Sequence, residues 1–405
     1  MLADSQPWSN HVIDVRDGST TAWETLPAVT LERPTVAAVA SSVDALPYVA
    51  AVARSGGELL VVAERRVDDA LRTELLSDGF RLVGALDGAP DSGTRAAEDG
   101  RIWLLTSGST GRPKRVAHTL ASLTTVKGAQ ATPRRWLCPY SPGTYAWWQV
   151  VTLGLTQPGH DLVVVDPSDL EHWVPLALDH EVTAASGTPT FWRQSVLRDP
   201  ETLARVPLQQ ISLGGEPVDQ AVIDQLRELF PEARISWIYA SSEVGASIVV
   251  HDGLAGFPQA WLGRASVDRP LIEVDGDELV ITSPHHGRGL DGPVRTGDRV
   301  RVEDGRVYIT GRLDRDEINV GGSKVSAGHV RDTLQSHPSV VWASVRGRRA
   351  PLVGSVVVAD VVLRDDTPTA ELTGWASERL PEYAVPRRLK VLDTIPTKET
   401  LKSDA

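Results

Sequence analysis

The chain is poor in cysteine, methionine and phenylalanine: one Cys, one Met and four Phe in 405 residues. The single thiol, Cys138, can close no internal disulfide and has no companion with which to hold a metal cluster. Long apolar runs are missing as well. None approaches the roughly 18 residues of a membrane-crossing helix, so no membrane association is expected. The first residues, Met1-Leu-Ala-Asp-Ser5, carry neither a basic start nor an apolar stretch, and a cytoplasmic location is the resulting expectation. Positive charge is in deficit: 41 Lys and Arg against 53 Asp and Glu leave a net charge of -12, which disfavours a nucleic-acid partner. The one compact basic group, Arg346, Arg348 and Arg349, reads as a solvated turn. Internal repeats and low-complexity segments are absent, so the chain is expected to fold almost throughout.

What is present is a rhythm of apolar runs and amphipathic stretches. Thr35–Val39, Glu58–Val62 and Arg81–Val83 alternate with helix-like segments at Asp44–Arg54 and Asp68–Leu76. Further strands are predicted at Asp161–Val165, Ile211–Leu213 and Arg234–Tyr239, with a helix over Val218–Phe230. From Leu279 to Thr310 the pattern shifts to short alternating strands and turns such as Glu303-Asp-Gly305. The fold class read from this is α/β: a large body of parallel sheets flanked by helices, with a small β subdomain, followed by a small, mobile α+β domain. The boundary is placed near Asp314, giving a large domain over 1–313 and a lid over 314–405.

Between the apolar run Ile102–Leu105 and a predicted helix stands Thr106-Ser-Gly-Ser-Thr-Gly-Arg-Pro-Lys-Arg115. Small residues let backbone N–H groups approach phosphate oxygens, while hydroxyls and a lysine donate further hydrogen bonds. The Walker pattern does not fit, because Gly108 and Gly111 are three apart and Arg115 stands where a magnesium-binding hydroxyl would be. A flexible surface turn is the plain alternative.

This loop resembles the signature of the adenylate-forming enzymes, a group that includes acyl- and aryl-CoA ligases, peptide-synthetase adenylation domains and luciferases. Thr106, Ser107, Gly108, Ser109, Thr110, Gly111 and Lys114 match its fixed positions, and further segments follow in the family's order. Gly214-Gly215-Glu216-Pro217 resembles the segment lying against adenine. Tyr239-Ala240-Ser241-Ser242-Glu243 resembles the one whose aromatic stacks on adenine, whose hydroxyl contacts phosphate and whose glutamate holds magnesium. Helix-start carboxylate is the plain alternative for Glu243. By the same resemblance Asp298 accepts from the ribose hydroxyls, Arg312 contacts the nucleotide, Asp314 is a hinge, and Lys402 is the catalytic lysine. Around that lysine the family has Pro-x-Thr-x-x-Gly-Lys; here Leu401 replaces the glycine.

The implied chemistry is attack of a carboxylate on the α-phosphorus of ATP. Two anions approach each other, so positive charge from magnesium on Glu243 and from Lys402 is needed. Resemblance then implies rotation about the hinge, with Gly322 on a thiol tunnel and Lys324 and the arginines meeting coenzyme A or a carrier-protein pantetheine. Tyr140 and Ser141 fall at the acyl-pocket entrance. Ser141 stands where amino-acid-activating members have an aspartate, which points away from an α-amino acid. Twelve tryptophans, among them Trp147, Trp148, Trp192 and Trp237, suggest a flat cavity for an aryl or other planar acid, with Thr188, Ser212 and Ser241 as polar contacts and core packing as the alternative for each tryptophan. Only 105 residues precede the loop, and His329 replaces a family glutamate, so the chain is short for the family. Three functions stand: an acid–thiol ligase, an adenylating enzyme with an amine or other acceptor, and a non-catalytic nucleotide-binding relative.

Overall fold

The computed structural model describes residues 9–84, 95–107, 113–126, 128, 130, 132–264, 269–287, 289, 292–350, 354–398 and 401–403. Thr35–Val39 and Glu58–Ala63 are buried along their whole length, as parallel strands covered on both faces must be. They pair in parallel within a five-stranded sheet ordered Arg81–Gly84, Thr35–Val39, Glu58–Ala63, Arg101–Ser107, Pro113–His118. The helix between them, Ser42–Ser55, opens on a reciprocal cap between Ser41 and Asp44 and stops at Gly56, whose φ of 73° suits glycine.

The predicted later strands appear as His160–Val164, Gln210–Gly214 and Arg234–Ser241, and the predicted helix as Gln220–Leu229. They belong to an eight-stranded sheet ordered Gly245–Val250, Arg234–Ser241, Gln210–Gly214, Ala184–Gly187, Arg134–Cys138, His160–Val164, His11–Asp14, Ser19–Ala22, antiparallel only at its two edges. The short alternating strands form a separate five-stranded antiparallel sheet whose longest member is Val294–Glu303. One continuous apolar core joins these three sheets. A fourth sheet, built from Glu317–Val320, Ser323–Ser326, Val340–Ala350, Gly354–Leu363 and Arg388–Val391, carries its own core around Val330, Leu334, Val357 and Leu372.

Two local expectations are corrected. The glycine-rich loop leads into the strand Pro113–His118, antiparallel to Arg101–Ser107, and not into a helix; the nearest helix is the four-residue Leu120–Leu123. The arginine group lies on the long strand Val340–Ala350 and not in a turn; the first part of that strand, Val340 to Ala343, is buried on both faces, and the second runs out into solvent and leaves Arg346, Arg348 and Arg349 exposed, with Arg346 paired to Asp360. Among the described residues no helix is long and apolar enough to cross a membrane.

The fourth sheet meets the body through a buried polar junction. Arg193, on the helix Pro189–Arg198, donates to the Val341 carbonyl at 2.9 Å and pairs with Asp219. Asp219 also accepts from Gln335 at 2.9 Å. Burial pushes the Asp219 carboxyl up, but Arg193 and Arg331 outweigh it and hold it below the ordinary carboxylate range. Its contribution to stability is therefore full above the ordinary carboxylate pKa and is lost as pH falls through the lowered value. The substitution R193A strands Asp219 without its main partner; urea denaturation should show a loss of about 3–5 kcal/mol.

Candidate active site

Three neighbouring parallel strands end together at Gly187, Gly214 and Ser241. The carboxyl ends of parallel strands are where an open α/β sheet leaves a crevice. After the first strand, Thr188 caps the helix Pro189–Arg198, its hydroxyl oxygen accepting from the Phe191 N–H at 3.0 Å. After the second, Gly215 takes a φ of 81° and Glu216 reaches across to accept from the Thr190 N–H at 3.0 Å. At the third, the Ser241 hydroxyl oxygen accepts from the Glu243 and Val244 N–H groups at 3.2 and 3.3 Å and closes a turn into Gly245–Val250. Glu243 therefore stands on a strand-to-strand turn, not at a helix start.

Tyr239 and Arg312 converge on Asp298. The phenol donates to Oδ2 at 2.5 Å and the guanidinium to Oδ1 at 3.2 Å. Burial pushes the Asp298 carboxyl up, against the opposite pull of Tyr239 and Arg312. Each carboxylate oxygen has a second lone pair, so two further hydroxyl donors can still be accepted. The glycine of this motif is required: a Cβ on Gly297, at φ 71°, would stand 2.8 Å from Arg312 Nη2.

Lys402 arrives from the far end of the chain. Thr397 bridges to Ser403, and Lys398 donates to the Lys402 carbonyl at 2.8 Å, so the lysine sits on a tight reversal. Its Cε lies 3.2 Å and its Nζ 3.8 Å from where a Cβ of Gly215 would be. Lys402 is exposed. Crowding by the surrounding protein nevertheless lowers its pKa, against the pull of Glu216 and Asp298. Leu401 takes the left-handed conformation, φ 62°, that a glycine would adopt freely, and its side chain is buried in the main core. Burying a leucine gains about 1.5–3 kcal/mol, which offsets the roughly 1–2 kcal/mol cost of that backbone.

Other predicted residues lie further from this convergence. Tyr140 is buried with its hydroxyl 3.0 Å from Ser186 Oγ, Ser141 accepts from Arg65 at 3.4 Å, and Ser212 accepts from Gln210 at 3.4 Å. Trp147 and Trp148 are both 0% exposed, packed edge to face in the core, so neither presents a surface to a ligand. Phe191 and Trp192 pack with Trp173 in a second aromatic cluster, so these tryptophans serve core packing. Gly322 occupies an exposed hairpin turn at φ 91° with open space around it. Ala240 sits at a register shift opposite Ala246, and Pro217 follows Glu216 in a half-buried turn. Thr106 donates weakly to the Lys114 carbonyl at 3.5 Å and Lys114 is exposed. Gly108, Ser109, Thr110 and Gly111, and the side chains of Ser107 and Asp314, lie outside the described residues.

One residue escaped the sequence reading. His118 is fully buried, with Nε2 2.7 Å from the Ser242 carbonyl and Nδ1 3.0 Å from Ser122 Oγ. A carbonyl only accepts, so Nε2 carries the proton; burial lowers the pKa and favours this neutral form. The histidine ties the strand leaving the glycine-rich loop to the turn bearing Glu243. No motif marks it.

The model of the AMP-binding enzyme family matches residues 30–311, and that of its C-terminal domain matches 330–402. The chain belongs to the AMP-binding enzyme family. It is 28% identical over 373 residues to a 4-chlorobenzoate–CoA ligase of Arthrobacter, covering 82% of this chain and 69% of that one. To the 2-succinylbenzoate–CoA ligase of Bacillus subtilis it is 28% identical over 334 residues, covering 72% and 65%. Enterobactin synthase component E of Escherichia coli is 22% identical over 346 residues, covering 76% and 64%. The chain thus spans between about half and two thirds of the length of most of the curated relatives it matches. Among solved structures, an anthranilate CoA ligase superposes with a TM-score of 0.75 at 14% identity, over 98% of this chain and 93% of that one. The o-succinylbenzoate CoA synthetase of Bacillus subtilis gives 0.65 at 22%, over 98% and 94%. These superpositions establish the shared fold.

Leu401 distinguishes two opposing effects in this family member. The substitution L401A keeps the left-handed backbone cost and loses the buried side chain, whereas L401G loses the side chain and relieves the backbone. Hydrogen exchange over the C-terminal peptide should therefore rise more in L401A than in L401G.

Proposed function

We propose that the protein activates a carboxylic acid with ATP, forming an acyl-adenylate and releasing pyrophosphate, and then passes the acyl group to a thiol of coenzyme A or of a carrier-protein pantetheine. The observation that carries this reading is the meeting of Tyr239, Asp298, Arg312 and Lys402, drawn from three separate parts of the sequence, around the strand ends at Gly214 and Ser241. A protein that only held a nucleotide would have no use for a lysine delivered there at the cost of a left-handed leucine.

In this reading Tyr239, Gly214, Gly215 and Pro217 flank the adenine, Asp298 accepts from the ribose, and Arg312 steadies both. Thr106 to Gly111, Lys114 and Ser242 donate to the phosphates, and Lys402 stands between the incoming carboxylate and the α-phosphate. As charge builds on the oxygens around phosphorus, a positioned ammonium opposes it more strongly than water can. The Glu243 carboxylate makes no hydrogen bond or ion pair with a described residue, and no cluster of three metal-binding side chains exists among them. That suits magnesium, which takes one carboxylate together with phosphates and waters. When bound, it would withdraw charge from the phosphates. Tyr140, Ser141 and Ser212 remain the proposed surroundings of the acid. After adenylation, turning about Asp314 would withdraw Lys402 and bring Gly322 toward the thiol route.

An aryl acid is the proposed substrate class: 4-chlorobenzoate, 2-succinylbenzoate and anthranilate stand in the names of relatives and a fold neighbour, beside acetyl-coenzyme A synthetases of similar identity that make an alkyl acid the alternative. A panel of aryl and alkyl acids in ATP–pyrophosphate exchange tests this directly, with thioester formation read separately on coenzyme A. Exchange with no acid would leave only a nucleotide-binding role; adenylate without thioester would point to an amine or other acceptor.

Replacing the lysine, K402A, should slow adenylate formation by roughly a hundred- to a thousandfold while leaving ATP binding close to wild type. The lowered pKa adds a pH signature. The charged form exists below that pKa, so kcat/KM for adenylation should decline on the alkaline side earlier than for an ordinary lysine, and K402R should remove that limb.

A further inference from the structure

Two residues assigned by motif to the ligands are already engaged elsewhere. Glu216 lies in the segment read as an adenine wall, and Thr188 was read as a contact to the acid. In the structure both side chains hold the peptide on either side of Lys402. Thr188 donates its hydroxyl to the Leu401 carbonyl. Glu216 Oε1 accepts from the Ser403 N–H at 2.7 Å and from the Ser403 hydroxyl at 3.1 Å. The other oxygen, Oε2, accepts from the Thr190 N–H at 3.0 Å, which fixes the carboxylate against the start of the helix Pro189–Arg198. The residue before the lysine and the residue after it are thus pinned to the same helix terminus.

We propose that Glu216 and Thr188 are positioning residues for Lys402. They form a clamp that exists only while the lysine is delivered to the cleft. The inference rests on the adenylating role proposed above. A lysine side chain has four rotatable bonds and places its ammonium well only if its own backbone is held. Glu216 and Thr188 hold that backbone by hydrogen bonds to Ser403 and Leu401, and the Leu401 side chain anchors it in the core. Glu216 also raises the Lys402 pKa against the effect of crowding, so the carboxylate helps to keep the ammonium charged. Both oxygens are used, which makes glutamine an imperfect substitute: its amide retains one acceptor and turns the other into a donor.

The clamp is assembled only for the first half-reaction. A residue of the adenine wall would instead be needed whenever adenylate is bound. The test uses full-length wild type, E216A, E216Q and K402A. It measures acid-dependent pyrophosphate exchange, KM for ATP, thioester formation from synthetic acyl-adenylate and coenzyme A, and hydrogen exchange over the C-terminal peptide. In E216A the expected result is a fall in exchange kcat of roughly ten- to a hundredfold, with KM for ATP unchanged, thioester formation from supplied adenylate unchanged, and faster hydrogen exchange at Leu401 to Ser403. E216Q should fall between E216A and wild type. A rise in KM for ATP with kcat preserved, or an equal loss in both half-reactions, would assign Glu216 to the nucleotide and overturn the proposal. So would wild-type exchange and wild-type hydrogen protection in E216A. Failure of wild type itself to exchange with any acid would instead strike the adenylating role, and the hydrogen-exchange comparison would still decide whether the clamp forms.

Discussion

The structure depends on delivering one ammonium group across almost the whole length of the chain. The strand ends at Gly214 and Ser241 are themselves uncharged, and they face a half-buried carboxylate, Asp298, that Arg312 already pairs. Lys402 supplies the ammonium from a segment that folds with a different sheet. Everything that docks the fourth sheet onto the body therefore acts on the cleft. Glycine at 215 is part of the same requirement, because its φ of 81° suits glycine and a Cβ there would crowd Lys402 Cε at 3.2 Å.

That docking is held by polar groups as much as by apolar ones. Arg193, Asp219 and Gln335 are linked in a nearly closed network with the Val341 carbonyl, while Ile395 packs against Val341 and Trp342. Buried ion pairs contribute little net energy beyond an apolar contact of the same shape, but they are severe when half broken. Such a junction discriminates sharply between docked and misdocked arrangements. It would also suit the proposed turn about Asp314, since paired charges that become exposed regain their hydration, whereas a large apolar face would not.

Leu401 illustrates how a departure from a motif can keep the motif's geometry. The reversal before Lys402 needs a left-handed residue, and glycine would provide it without strain. Here leucine adopts it, at φ 62°, because its side chain is taken up by the core of the body. The backbone cost is met by an anchor, and the segment is fastened where a glycine would leave it loose.

Much of the fold was legible in the sequence. Parallel strands buried on both faces leave continuous apolar runs, and Thr35–Val39, Glu58–Ala63 and Arg234–Ser241 follow them closely. The spaced glycines, hydroxyls and acids of the family segments identified Tyr239, Asp298 and Arg312 as a group. Tertiary structure decided the rest. The strand after the glycine-rich loop and the turn beneath Glu243 arise from hairpin pairing with the strand just before each, which the motif residues themselves do not record. His118 matters through the carbonyl it meets, and no residue pattern announces a carbonyl. Trp147 and Trp148 look alike in sequence whether they line a pocket or fill a core, since both demand large aromatic volume; only packing distinguishes them. The chain's residue types thus determined which groups could handle a nucleotide, and three-dimensional contact determined which of them also hold one another in place.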